Sequence, residues 1–307
     1  MPMSPAEVRE RLKGVLVFPV TPFHADYSLD LDGLRQNVRR MLRAPVHAVV
    51  AAGGTGELYS LTPAEHEAVV RTVVEEVGGR VPVIAGVGFN LMIGMAQARA
   101  AEAAGADCLL LLPPYYPHAD PAGLHDYYAL ICNSVRIASM VYNRDWVVMT
   151  PAQVQRLADA IPNLIAFKDG QGDVRNFKRI KRAVGERLLW LAGVGDDMVD
   201  DYFAAGAEGY TSSLSNLDPQ LSYDLFVLAS AHRRAELHAL MLTRVYPLYE
   251  LRGKRKGYEV ATIKAAMNLM GLPAGPVRPP LVELTDAERQ EKAAILARCG
   301  LLSAVAP

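Results

Sequence analysis

Eight short apolar runs recur along the first two-thirds of the chain, at 14–18, 48–52, 81–85, 108–112, 138–142, 164–168, 188–192 and 209–212. None shows the polar alternation of a half-exposed strand. Each therefore reads as a strand covered on both faces, which is the mark of a parallel sheet. Helical patterns fill the gaps, and the unit repeats roughly every 25–30 residues. A barrel of alternating strands and helices needs that spacing.

The helices carry start and stop signals. Thr62-Pro63-Ala64-Glu65 reads as an N-cap, a proline at the first helical position and an acid in the first turn; Thr150-Pro151 repeats the signal. The run 91–104 stops at Gly105, a glycine placed to close a helix. Beyond residue 217 only helical patterns remain, at about 219–231, 234–251, 258–270 and 285–299, broken by Gly271-Leu272-Pro273-Ala274-Gly275-Pro276. The expected fold class is therefore α/β: a (β/α)8 TIM barrel over residues 1–217, with a C-terminal helical extension over 218–307 packed on it. A doubly wound sheet is the alternative, but no GxGxxG motif follows the first run.

Composition narrows the partners. Of the 307 residues 51% are apolar and 21% charged, enough for a large core. A formal charge of -1 and a pI near 6.7 give no reason to expect nucleic acid or an anionic membrane. Cys108, Cys132 and Cys299 show no paired spacing, and the seven histidines show no metal-ligand spacing. A reducing, cytoplasmic setting is expected, and residues 1–13 read as neither signal peptide nor membrane span.

In a barrel of this kind, chemistry sits at the C-terminal ends of the strands. Three ends stand out. Gly53-Gly54-Thr55-Gly56-Glu57 follows the second run; its backbone N–H groups and threonine hydroxyl suit a carboxylate, though a plain turn reads equally well. Tyr142-Asn143-Arg144-Asp145 follows the fifth; a tyrosine there relays protons or merely lines the rim, and an arginine binds carboxylates. Lys168 closes the apolar run Leu164-Ile165-Ala166-Phe167. Lysines usually lie in water, but desolvation at a strand end lowers the pKa and makes the amine a nucleophile. Asp196, Asp197, Asp200 and Asp201 read as a charged helix start. Arg252-Gly253-Lys254-Arg255-Lys256 reads as a solvated loop, with an anionic substrate at the barrel mouth as the other option.

These segments, in this order and spacing, resemble the dihydrodipicolinate synthase / N-acetylneuraminate lyase superfamily. Phe18-Pro19-Val20-Thr21-Pro22-Phe23 and Ala274-Gly275-Pro276-Val277-Arg278-Pro279-Pro280 fit it too. Within it, the branch of 5-dehydro-4-deoxyglucarate dehydratases is most similar, through residues 53–57, 142–145, 167–173 and Lys256-Gly257-Tyr258. The resemblance implies a lyase that needs no metal or organic cofactor and acts on a small-molecule 2-keto sugar acid. Lys168 forms the Schiff base, Tyr142 shuttles protons, and Gly54 and Thr55 hold the carboxylate beside the ketone. Asn143, Arg144, Thr211 and Ser212 then contact the rest of the sugar acid. The products implied are 2,5-dioxopentanoate, CO2 and water, and the assembly implied is a homotetramer built as a dimer of dimers.

The departures are specific. Gly54 stands where dihydrodipicolinate synthases carry a second threonine of a proton relay, and their carboxylate-binding arginine is missing near Val147. Trp146 replaces an asparagine expected in the dehydratases, while Tyr116 and Gly195-Asp196-Asp197 resemble the synthase branch. An aldolase or a dehydratase of another 2-keto-3-deoxy sugar acid therefore stays open, as does a non-catalytic keto-acid-binding protein.

Overall fold

The fold comes from a computed structural model that describes residues 3–302. Its strands are β1 (Val15–Val17), β2 (Ala48–Ala51), β3 (Val83–Phe89), β4 (Cys108–Pro114), β5 (Ala138–Asn143), β6 (Leu164–Asp169), β7 (Leu189–Ala192) and β8 (Gly209–Ser212). Each pairs in parallel with the next. β8 returns to β1 through Val15↔Tyr210, Leu16↔Thr211 and Val17↔Ser212, which closes the barrel. A closed sheet has no edge, so the doubly wound alternative is excluded. The apolar runs are strands because they are buried on both sides, by barrel interior and helix ring.

The helix signals hold. Thr62 and Glu65 cap the helix Pro63–Val77 reciprocally, and Gly105, at φ +92°, closes the helix Leu91–Ala104. β3 and β4 run further than expected, pairing Phe89 with Pro114 beyond a register shift. Gly86 and Gly88 look like the end of a strand in sequence, yet here they mark an irregularity inside one.

The helix Pro219–Ser230 packs against β8 and β1, the place of an eighth barrel helix, so the barrel's own helices run past residue 217 to Ser230. The later helices form the extension. The helix Tyr258–Leu269 lies against the helix Asp286–Arg298 and against the turn Leu214–Asn216 that follows β8. This sets part of the extension beside the C-terminal mouth of the barrel. Lys264 from that helix ion-pairs with Glu57 at 2.6 Å, both fully buried. Among the described residues no helix is long and apolar enough to cross a membrane.

Candidate active site

The β5–β6 register sets Tyr142 opposite Lys168 and Asn143 opposite Asp169. Side chains alternate along a strand, so one pair points into the barrel and the other into its wall. Tyr142 and Lys168 both line a cavity of about 1040 Å3 that opens at the C-terminal mouth. Lys168 is 2% exposed. Its Nζ donates to the Gly193 carbonyl at 3.1 Å and sits 3.1 Å from the centre of the Tyr142 ring. The Tyr142 hydroxyl donates to the same carbonyl at 2.9 Å. Gly193 has to be glycine here: a Cβ would stand 2.6 Å from Lys168 Cγ and 2.8 Å from its Nζ.

Burial, and then the nearby Arg144 guanidinium, hold the Lys168 pKa well below the ordinary lysine value. The neutral amine that a nucleophile requires is thereby favoured. Burial raises the pKa of Tyr142, which keeps its proton in place, while the Arg144 charge works the other way. Burial alone does not single out Lys168, because Lys264 and Lys292 are equally buried. Lys264 is matched by Glu57, and Lys292 donates to the Leu248 carbonyl at 3.0 Å within the extension. Of the three, Lys168 is the one that lines the cavity.

Gly54 and Thr55 line the cavity, as does Arg144. The Arg144 Nε and Nη2 donate to Asp145 at 2.7 and 3.3 Å, and its Nη1 points toward Gly54, where a Cβ would come within 3.0 Å of it. Arg144 therefore fills space that a side chain at position 54 would contest. Thr211 lines the cavity too, with its hydroxyl donating to the Ala192 carbonyl at 3.3 Å.

Two expected residues behave differently. The Asn143 side chain is fully buried; it donates to Asp169 at 2.5 Å and accepts from the Met149 N–H at 2.8 Å. Asp169 also takes the Tyr202 hydroxyl. Asn143 thus belongs to a polar network in the barrel wall rather than to the cavity lining. Ser212 borders the cavity, but its hydroxyl donates to Asp196 and lies 2.7 Å from the Ser222 hydroxyl, so it is committed inside the protein.

Asp196 is no solvated helix start. It is fully buried and receives the Ser212 hydroxyl, the N–H groups of Ser213 and Leu214, and the Tyr249 hydroxyl at 2.9 Å. It ties β7's end to β8's end and to the extension. Arg252, whose run reads as a solvated loop or as a partner for an anionic substrate at the barrel mouth, lines the cavity. The Gly193 carbonyl was also unforeseen; the only sequence signal for it is a glycine directly after a strand. Trp146 stands half-exposed at the rim, with its indole N–H on the Pro114 carbonyl at 2.9 Å. Tyr115 borders the cavity, whereas Tyr116 is exposed and does not. Among the described residues no three of His, Cys, Asp and Glu gather into a group that could hold a metal ion.

A desolvated lysine beside a buried tyrosine at a barrel mouth is what the known relatives can be measured against. A family profile described as the dihydrodipicolinate synthetase family matches residues 11–299. A Bradyrhizobium protein named "Probable 5-dehydro-4-deoxyglucarate dehydratase" is 41% identical over 297 residues, covering 96% of this chain and 95% of that one. A Ralstonia nicotianae protein of the same name is 40% identical over 298 residues, covering 96% of each. Among solved structures, dihydrodipicolinate synthase from Oceanobacillus iheyensis superposes with a TM-score of 0.92 at 28% identity, over 97% of this chain and 100% of that one. With both the profile and the relatives matched over nearly its whole length, the chain belongs to the dihydrodipicolinate synthetase family.

Proposed function

We propose that this protein is a hydro-lyase that binds 5-dehydro-4-deoxyglucarate as a Schiff base on Lys168 and converts it to 2,5-dioxopentanoate, CO2 and water. The observation that carries the proposal is the desolvated amine of Lys168 at the cavity floor, sharing the Gly193 carbonyl with the Tyr142 hydroxyl. The names of the relatives, at 40–41% identity, supply the substrate.

The neutral amine of Lys168 adds to the ketone. Tyr142 gives its proton to the departing hydroxyl, and water leaves an iminium ion. The Thr55 hydroxyl and the backbone beside Gly54 hold the carboxylate next to it, while Arg144 and Thr211 border the rest of the chain. The iminium acidifies the neighbouring CH2, and the tyrosinate, close to the Arg144 guanidinium, recovers a proton from it. The enamine then expels the hydroxyl one carbon further on, which leaves as water with the proton of Tyr142. A conjugated iminium remains. The far carboxylate departs as CO2, its bonding pair passing along the conjugated carbons to the nitrogen. The enol tautomerises to the aldehyde, the enamine carbon takes up a proton from solvent, and hydrolysis of the resulting iminium frees Lys168 and returns a proton to Tyr142.

A cytoplasmic setting and a homotetramer built as a dimer of dimers belong to the same proposal. Three buried free thiols, Cys108, Cys132 and Cys299, support the former and the family likeness the latter. The test is to incubate the protein with 5-dehydro-4-deoxyglucarate, assay CO2 and 2,5-dioxopentanoate, and reduce a parallel sample with borohydride for mass mapping. Both products and an adduct on Lys168 are expected. An adduct with pyruvate released instead would move the reading to an aldolase. No adduct on Lys168 with any 2-keto acid would end it.

A further inference from the structure

We infer that Arg252, supplied by the extension, is the residue that holds the carboxylate at the far end of the substrate. This rests on the dicarboxylate reading above. The two arginines that line the cavity differ. Arg144 has its Nε and Nη2 on Asp145. Among the described residues no carboxylate lies within 4.0 Å of Arg252. Its neighbours in the same basic run are engaged elsewhere, Lys254 with Glu291 at 2.6 Å and Arg255 with Glu288 at 3.1 Å. The half-buried Arg252 is thus a cation facing the cavity with most of its five N–H donors uncommitted.

The guanidinium is also held in place. Its Nη1 donates to the Ser213 hydroxyl at 3.1 Å, and its centre lies 4.7 Å from the middle of the Tyr249 ring. Tyr249 is fixed in turn: its hydroxyl donates to Asp196 Oδ2 at 2.9 Å and accepts from the Asp196 N–H at 2.8 Å. A planar fork held from one edge and one face presents its remaining donors in a fixed direction, which suits a carboxylate. Glu259, exposed on the same cavity, is more than 4.0 Å from both arginines and pairs with neither. The far carboxylate is the group that departs as CO2. Arg252 therefore grips the substrate and has no charge to grip in the product, which favours release.

The test uses two six-carbon 2-keto acids that differ only at the far end, 2-oxoadipate and 2-oxohexanoate. Each is titrated against the intact protein with borohydride, and the Lys168 adduct is quantified by mass. In the wild type 2-oxoadipate is expected to half-saturate at a concentration about 10–100-fold lower, the range for one charge-assisted pair. Arg252→Gln should bring the ratio near one, and Arg252→Lys should keep part of it. A ratio is read, so a general loss of trapping does not mimic the result, and thermal melts monitor folding. Equal trapping of the two acids by the wild type overturns the inference. So does a gap that survives in Arg252→Gln, or one that vanishes in Arg144→Gln instead. If the wild type forms no adduct even with pyruvate, the Schiff-base reading has failed; a normal pyruvate adduct without the gap removes Arg252 alone.

Discussion

Lys168 is costly where it stands. Its folded-state pKa lies below the unfolded value, so between the two the unfolded chain binds more protons and stability rises with pH. Lys168→Met is expected to abolish turnover and the borohydride adduct while stabilising the fold by about 1–2 kcal/mol, with the gain shrinking as pH climbs. Parallel melts of the two proteins across pH check this. Gly54 should act through Arg144: Gly54→Ala places a methyl at 3.0 Å from Nη1, the mobile end of the side chain. The melt should stay unchanged while KM for the sugar acid rises about threefold to tenfold, since roughly 1 kcal/mol of positioning is at stake. Steady-state kinetics decides it, and an unchanged KM would mean that Arg144 needs no such room. At this scale Lys168 and Tyr142 were legible because each ends an apolar run. Asn143 is not, because it stands one step from the inward-facing Tyr142 and its side chain points into the wall, whereas Ser212 borders the cavity as expected but turns its hydroxyl to Asp196. Arg252 is legible only as one of two options, because the docking of the extension decides whether its basic run meets solvent or the barrel mouth.

The loops at the barrel mouth are held by elements distant in sequence. The loop after β2 is fastened by the buried Glu57–Lys264 pair and by the Arg278 N–H, which donates to Glu57 at 3.2 Å. Glu57 itself adopts φ +55°, and Ala52, Phe89 and Asp145 are also left-handed at the ends of β2, β3 and β5. Such non-glycine conformations persist where surrounding contacts over-determine them. Lys264→Met should cost about 3–5 kcal/mol, because it strands a carboxylate in the interior. Adding Glu57→Gln should recover most of that, which urea denaturation of the single and double variants will show. The strands and caps of this end were readable from periodicity and from the Thr-Pro signals. The ion pair was not, since a lysine in a helical pattern reads as solvent-facing by default.

Across the whole molecule, the barrel followed from the eightfold rhythm alone, whereas the seat of the extension did not. A helical pattern shows which face is apolar, not what it will meet. Lys292 marks one such meeting, donating from the last helix to the Leu248 carbonyl. Burial lowers its pKa to about 8, against 10.5 for an ordinary lysine. Between those values the unfolded state again binds more protons, so wild-type stability rises with pH through that window. Lys292→Met should remove this part of the slope, measurable as a stability difference between the two proteins that shifts from pH 8 to 10.5. The barrel itself joins its first strand to its last, and its mouth borrows Arg252, Lys264 and Pro280 from beyond the last strand. The wall around Lys168 is therefore closed by β8, and the mouth above it is finished by residues further along the chain. Truncation of the C-terminal helices is thus expected to unmake the mouth of the cavity as well as the extension.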